Sequence, residues 1–172
     1  LKNYKTDALY PYDSFLFGDY LHQLCEVILK KGIDKKLTWG CALRADTTKK
    51  EDLHLLKKAN CFMTFYGFES GSERMLVRMN KQITVEDSLR VARYHHEIKL
   101  PFLALIIFGY PGERLEDVRL TQRFLIKSQP YYFAITPFNP MPGSAVFDQL
   151  KSEGKIHITD PYSYRKHRFY SR

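Results

Sequence analysis

The fold of this chain is decided by residues 65–76, which read Phe65-Tyr66-Gly67-Phe68-Glu69-Ser70-Gly71-Ser72-Glu73-Arg74-Met75-Leu76. An apolar run ends at a carboxylate and two hydroxyls, and an amphipathic segment follows. This order predicts a β-strand that ends near Glu69 and a helix that begins directly afterwards. In barrels and open α/β sheets, small ligands bind at the carboxyl ends of such strands. The alternative role for Ser70 or Ser72 is to cap the helix.

The same strand-then-helix unit recurs along the chain. Apolar runs occupy Asp7–Tyr12, Lys36–Leu43, Cys61–Phe68, Pro101–Phe108 and Tyr132–Phe138. The fourth run is continuously apolar, which is typical of a strand buried on both faces of a parallel sheet. Alternating strands and helices predict parallel strands with helical crossovers. Because five units are too few to close an eight-stranded barrel, we predict an α/β fold, a partial (β/α) barrel of five βα units with parallel strands.

Two helix starts carry capping-box signals, in which a hydroxyl and a carboxylate three residues on satisfy each other's backbone amides. Thr48 with Glu51 predicts one such start. Thr84 with Asp87 predicts another.

Length, charge and composition indicate one domain over residues 1–172. The chain is 44% apolar and 27% charged, which is an ordinary globular balance. Its net charge of +8 is spread along the chain, apart from a basic tail over residues 151–172 that contains Tyr164-Arg165-Lys166-His167-Arg168. No apolar run has the length of a membrane span and no signal-peptide pattern opens the chain, so we expect a cytoplasmic protein without a membrane partner.

Polar and flexible residues follow every predicted strand. They are Asp13-Ser14, Arg44-Ala45-Asp46, Glu69-Ser70, Gly109-Tyr110-Pro111-Gly112-Glu113 and Asn139–Ser144. Because parallel strands share one carboxyl edge, we expect these groups to converge on one rim, where glycines let a ligand approach the backbone closely. Each group also has a structural alternative: Arg44 pairs with Asp46 or Asp13, Asp13 caps a helix, and the glycines and Pro111 shape a turn.

Several of these motifs, in this order, resemble radical SAM enzymes. The resemblance rests on Trp39-Gly-Cys-Ala-Leu-Arg44-Ala-Asp46, Gly67-Phe-Glu69-Ser70-Gly-Ser72, Lys81, Gly109-Tyr-Pro111-Gly-Glu113 and Pro140-Met-Pro-Gly-Ser144, with Asp13-Ser14-Phe15 as an acidic motif. It covers about residues 7–150. It is strongest toward the Fe–S oxidoreductase branch, which includes cobalamin-binding and methylthiotransferase-like members.

The resemblance implies a six-unit partial barrel that binds S-adenosylmethionine across its rim, and a 4Fe–4S cluster that cleaves it reductively to a 5′-deoxyadenosyl radical. The implied contacts are Arg44, Glu69 and Ser70 to the methionyl or ribose part, Ile107, Gly109 and Pro111 to the adenine, and Asp13 near the methionyl amine. Either Ile106 or Ile107 has the apolar side chain to lie against a purine.

The chain departs from the family pattern in two places. The cluster-binding Cys-x-x-x-Cys-x-x-Cys is absent, since the only cysteines are Cys25, Cys41 and Cys61. We therefore expect a fragment that is inactive alone and depends on an upstream cluster-bearing segment, with cobalamin compatible with the longer protein. Gln82 stands where the family often has glycine.

Two other functions fit the same residues. One is a partial βα barrel enzyme that binds a phosphorylated ligand at its glycine turns. The other is a non-catalytic module that grips RNA with its rim and basic tail. The sequence does not identify the substrate, and RNA is a candidate partner.

Overall fold

The computed structural model describes residues 6–10 and 15–156. These ranges contain five strands and six helices, with one helix after each strand except β3, which is followed by two. The strands are β1 (Ala8–Leu9), β2 (Thr38–Leu43), β3 (Cys61–Glu69), β4 (Phe102–Phe108) and β5 (Tyr132–Pro137). The helices are α1 (Gly18–Lys30), α2 (Lys50–Lys58), α3 (Glu73–Arg78), α4 (Val85–Ile98), α5 (Leu115–Ser128) and α6 (Ala145–Ser152).

The strands form one parallel sheet in the order β1-β2-β3-β4-β5. The sheet curls into a half-barrel, which confirms the predicted α/β partial barrel. All five apolar runs form strands, although β1 is short and residues 11–14 at its end lie outside the described ranges. The basic patch at residues 164–168 also lies outside them, and the single-domain assignment over 1–172 stays a prediction.

The outer face of the sheet carries the hydrophobic core. Tyr66 and Phe68 of β3 and Phe102 of β4 are buried beneath the helices. Tyr66 and Phe68 stack with ring centroids 5.2 Å apart, and Phe124 of α5 meets Phe68 edge-on at 5.4 Å. These aromatic contacts fix the helices against one side of the sheet.

The inner face of the sheet is more open than the sequence predicts. Side chains alternate along β4, so that Phe102, Ala104 and Ile106 are buried while Leu105 is 39% exposed. The expectation that β4 is buried on both faces is therefore wrong. The reason is that a half-barrel leaves its concave side uncovered, so one face of this apolar strand lines an open hollow.

Only one of the two predicted capping boxes forms. Thr84 Oγ1 accepts from the Asp87 amide at 3.0 Å, and Asp87 Oδ2 accepts from the Thr84 amide at 3.0 Å. At α2 the prediction is wrong, because Thr48 donates to the Arg44 carbonyl at 2.6 Å. The helix begins one residue later, where the Lys49 amide donates to Asp52 at 2.9 Å.

Within the described ranges, no helix has both the length and the apolar character needed to cross a lipid bilayer.

Candidate ligand-binding rim

Three predicted site residues lie at one edge of the sheet. Arg44 directly follows β2, Glu69 ends β3 and Gly109 directly follows β4. Because these three neighbouring strands are parallel, their carboxyl ends form a continuous edge, which we call the rim. Asp13 lies outside the described residues.

A charge pair marks the centre of the rim. Lys81 Nζ donates to Glu69 Oε1 at 2.8 Å, and the two side chains are 20% and 18% exposed. A β-carbon added to Gly67 would lie 2.5 Å from Glu69 Oε1 and 3.1 Å from Lys81 Nζ. The pair therefore lies over Gly67, on the inner face of the sheet. It fits there because glycine has no side chain.

The backbone of Glu69 is bent to aim its carboxylate at that position. Its φ of 62° is left-handed, and the β3–β4 register shifts between Gly67 and Glu69. Such strand irregularities often occur beside binding sites, where they redirect a side chain. The sequence signals Glu69 as a site residue, but it does not signal the bulge.

The structure distinguishes between the two isoleucines proposed to face a purine. Ile106 is only 3% exposed and belongs to the core of the outer face. Ile107 is half-buried and alternates with it, on the same side as Leu105, which pairs in register with Gly67. Ile107 is therefore the isoleucine that faces the hollow beneath Glu69 and Lys81.

Arg44 forms the ion pair that the sequence offers as its alternative role. Its Nε and Nη2 donate to the two carboxylate oxygens of Asp46 at 3.1 and 2.9 Å. The guanidinium also lies over the Phe15 ring, 5.9 Å from its centroid. Both partners of the pair are 30% exposed, so the guanidinium stays accessible at the rim.

Ser70 is not brought to the inner face with Glu69. It is 2% exposed, its hydroxyl lies 3.2 Å from Thr121 Oγ1 of α5, and it accepts from the Ser72 amide at 3.1 Å. This hydroxyl joins the loop after β3 to α5. Its role toward a ligand stays a prediction.

Ser72 occupies the N-cap position of α3, but its hydroxyl serves another helix. It donates to Asp117 Oδ1 of α5 at 2.6 Å. Asp117 also binds the Arg74 guanidinium and accepts from the Arg114 amide at 2.8 Å. Burial acts to raise the pKa of Asp117, but the hydrogen bonds from Arg74 and Ser72 outweigh it and lower this pKa to about 2.

Two arginines of α3 bind the turn after β4. Arg74 Nη2 donates to the Gly112 carbonyl at 2.9 Å, and Arg78 Nε donates to the Pro111 carbonyl at 2.6 Å. Within the turn, the Gly109 amide donates to Glu113 Oε2 at 2.6 Å. Sequence reasoning missed Arg74, Arg78 and Asp117, because their partners are about 30 to 45 residues away and no local pattern announces them.

The three cysteines do not fit an iron–sulfur cluster. Cys25, Cys41 and Cys61 are at most 4% exposed and belong to the core of the outer face. Burial raises the pKa of Cys25 to about 12, and a hydrogen bond with Cys61 together with burial raises that of Cys41. Cluster ligands are thiolates, which this environment disfavours. Among the described residues no group of three or more His, Cys, Asp or Glu side chains is arranged to hold a metal ion.

Related proteins combine this region with much longer chains. An uncharacterized methyltransferase of Pyrococcus horikoshii is 28% identical over 70% of this chain and 26% of its own length. An anaerobic magnesium-protoporphyrin IX monomethyl ester cyclase of Cereibacter sphaeroides is 26% identical, over 83% and 24%. A putative methylthiotransferase of Methanocaldococcus jannaschii is 25% identical, over 94% and 36%. The chain thus spans roughly a quarter to a third of the length of these relatives.

Solved structures show the same fold. The radical S-adenosylmethionine methyltransferase TsrM from Kitasatospora setae, with cobalamin and a 4Fe–4S cluster bound, aligns with a TM-score of 0.75 at 18% identity. That alignment covers 90% of this chain and 30% of TsrM. Coproporphyrinogen III oxidase from Escherichia coli aligns with a TM-score of 0.64 at 13% identity, covering 79% of this chain and 32% of the oxidase.

The family model of the Radical SAM superfamily matches residues 12–125, which is more than half of the chain. The matched segment contains the Glu69–Lys81 pair and the turn that follows β4. The chain belongs to the Radical SAM superfamily.

Proposed function

We propose that this chain is the S-adenosylmethionine-binding part of a radical SAM enzyme, and that an upstream segment of the same protein supplies the 4Fe–4S cluster. When bound, such a cluster supplies the electron that breaks the bond between the sulfonium sulfur and C5′, giving methionine and a 5′-deoxyadenosyl radical. The observation that carries the proposal is the Glu69–Lys81 pair, placed over Gly67 on the open inner face of a radical SAM half-barrel.

The residues of the rim suit an adenosyl ligand. The Glu69 carboxylate accepts hydrogen bonds from an ammonium group or a ribose diol, and its pairing with Lys81 holds it in place for that contact. Ile107 offers an apolar surface to the adenine. At Gly109 an added β-carbon would have nothing within 4 Å, so a ligand can approach the backbone there.

One edge of β1 is paired with no other strand of the described residues, and this supports the proposed upstream segment. β1 is the edge strand, and both of its residues are exposed. Phe17, the N-cap of the neighbouring helix α1, and Tyr20 within that helix are each 61% exposed, and Val27 is 46% exposed. A strand edge that no described strand covers, beside exposed apolar side chains, favours a further βα unit packed there.

The relatives indicate further candidates for the longer protein. TsrM binds cobalamin as well as a cluster, so a cobalamin region is compatible with this one. Methyl transfer and methylthio transfer are the named activities of two relatives. We therefore propose a methyltransferase-like or methylthiotransferase-like reaction, with the substrate either a small molecule or a macromolecule such as RNA.

The first test is anaerobic reconstitution with iron and sulfide. We expect this chain to acquire no 4Fe–4S absorbance, because its three cysteines are buried on separate elements. A longer protein that includes the upstream segment is expected to acquire the absorbance and to release 5′-deoxyadenosine from S-adenosylmethionine under reducing conditions.

The second test uses the same longer protein with Glu69→Gln, which keeps the shape of the side chain but removes its charge. We expect this variant to load the cluster normally and to bind S-adenosylmethionine about 10-fold more weakly, because a charge-assisted hydrogen bond is lost. A stoichiometric cluster on the 172-residue chain alone, or unchanged affinity in Glu69→Gln, contradicts the proposal.

A further inference from the structure

Two arginines on α3 reach the turn that follows β4. Arg74 and Arg78 are one helical turn apart and so project from the same face of α3. They donate to two successive carbonyls, Gly112 through Arg74 and Pro111 through Arg78. The two ends of one short helix therefore hold two consecutive peptide units of the turn.

The turn is flexible by composition. Gly109 and Gly112 have φ values of +79° and +82°, a left-handed conformation that glycine adopts without strain. Glycine also loses more conformational freedom on folding than any other residue. Pro111 and the hydrogen bonds inside the turn restrict the chain in part, but the two glycines leave the orientation of the Pro111 and Gly112 carbonyls less fixed than other residues would.

The arginine contacts hold these two peptide units in one orientation. In a planar trans peptide the carbonyl and the N–H point to opposite sides. Fixing the Pro111 and Gly112 carbonyls on α3 therefore aims the next two N–H groups away from α3. A β-carbon on Gly112 would lie 2.7 Å from Arg78 Nε, so the guanidinium packs directly against the turn.

The helix that carries the arginines is itself immobilised against α5. Asp117 of α5 binds both Arg74 and Ser72, and the Gly71 amide donates to Thr121 at 2.9 Å. A β-carbon on Gly71 would lie 2.7 Å from Thr121 Cα, so this loop touches the α5 backbone. The loop after β3 and the turn after β4 are thus parts of one cross-linked unit.

We propose that Arg74 and Arg78 are positioning residues, which fix the Gly109–Glu113 turn in the orientation that backs the nucleoside of the ligand. Neither guanidinium contacts the ligand in this account. The inference rests on the proposed function, because it assigns the turn a role in binding S-adenosylmethionine. In this proposal, α3 fixes the position of the turn relative to Glu69.

The first measurement tests the turn without any ligand. Amide hydrogen exchange is followed at Gly109 and Glu113, whose N–H groups donate inside the turn to Glu113 Oε2 and the Tyr110 carbonyl. We expect Arg78→Met to speed exchange at both amides about 10-fold, because a hydrogen bond from a charged donor is lost. Arg78→Lys, which keeps a charged donor, is expected to restore most of the protection.

Arg93→Met is the matched control. Arg93 is exposed on α4 and pairs with Glu86, so its loss removes an arginine without touching the turn. We expect wild-type exchange at Gly109 and Glu113 in this variant. The amides of α3 itself should keep their protection in Arg78→Met. Unchanged exchange in the turn, or loss of protection throughout α3, overturns the inference.

The second measurement is the dissociation constant for S-adenosylmethionine, determined by equilibrium dialysis with the longer, cluster-loaded protein. We expect Arg78→Met to weaken binding about 10-fold and Arg78→Lys to weaken it less than about 3-fold, with Arg93→Met unchanged. A loosened turn with wild-type affinity overturns the positioning role. If wild-type protein fails to bind S-adenosylmethionine, the proposed function fails, while the exchange result still reports on the turn.

Discussion

Two glycines of the segment 65–76 have different neighbours and so different reasons to be glycine. A β-carbon on Gly67 would meet the flexible ends of Glu69 and Lys81, at 2.5 and 3.1 Å. A β-carbon on Gly71 would meet Thr121 Cα at 2.7 Å and the Leu120 carbonyl at 2.8 Å, which are backbone atoms of α5. The first glycine makes room for a charge pair, and the second lets a loop touch a helix.

We predict that Gly71→Ala lowers the free energy of unfolding by about 2–3 kcal/mol, because the α5 backbone cannot move aside without loss of packing. Gly67→Ala is the matched control and should cost less than about 1 kcal/mol, since side-chain ends can rotate away. Chemical denaturation of the two variants measures the difference. Equal losses would show that the rim pair is as rigid as the backbone contact.

Some individual contacts were predictable from sequence and others were not. The Arg44–Asp46 pair was predictable, because the two residues are two positions apart in the sequence and carry opposite charges. The glycine that the family often has at position 82 is also explained, since Gln82 has a φ of 57°, the left-handed conformation that glycine adopts most readily. The Arg74 and Arg78 contacts were not predictable, because they depend on how α3 and a distant turn meet in space.

Strand β3 and helix α4 are joined by a buried polar contact. His95 Nδ1 lies 2.8 Å from the Leu100 carbonyl, which can only accept, so this nitrogen carries the proton. His95 Nε2 therefore accepts from the Tyr66 hydroxyl at 3.0 Å. This arrangement requires a neutral imidazole. Burial lowers the pKa of His95 to about 4 from its ordinary 6.5.

We predict that this histidine makes the protein less stable in mild acid. Between pH 6.5 and 4 the unfolded chain binds a proton at His95 and the folded chain does not, so stability falls as the pH falls. From pH 7.5 to pH 5 the loss from this group is about 2 kcal/mol. Denaturant titrations at both pH values measure it.

The comparison that isolates His95 is with His95→Gln, which cannot titrate. The advantage of wild type over His95→Gln should shrink by that amount at the lower pH. His54→Gln, at an exposed position of α2, is the matched histidine-to-glutamine control. A constant difference between wild type and His95→Gln would contradict the assignment of a neutral, buried imidazole.

Helix and strand positions followed from local pattern wherever the signal was local. The Thr84–Asp87 capping box forms because both partners lie within one turn. The Thr48–Glu51 box fails because the Arg44 carbonyl, at the end of β2, takes the Thr48 hydroxyl. The prediction that both faces of β4 are buried was wrong, because an apolar run does not reveal whether the hollow in front of the strand is filled.

At the scale of the whole molecule, alternating strands and helices were enough to predict a parallel half-barrel with its polar groups at one edge. The order of the five strands in the sheet follows their order in the chain, so no distant pairing had to be guessed. The cross-linking of the loop after β3 to the turn after β4 could not be predicted from the sequence. It depends on contacts that join α3 to two other segments: Arg74 binds Asp117 of α5 and the Gly112 carbonyl, and Arg78 binds the Pro111 carbonyl.

We propose that S-adenosylmethionine binds across the rim. The most direct test is amide hydrogen exchange of the longer, cluster-loaded protein with and without S-adenosylmethionine. We expect new protection in residues 67–72 and 106–113. We expect none at the opposite ends of the strands, in residues 33–37, 59–61 and 99–102. Protection confined to those opposite ends, or to the outer surfaces of α4 and α5, would contradict it.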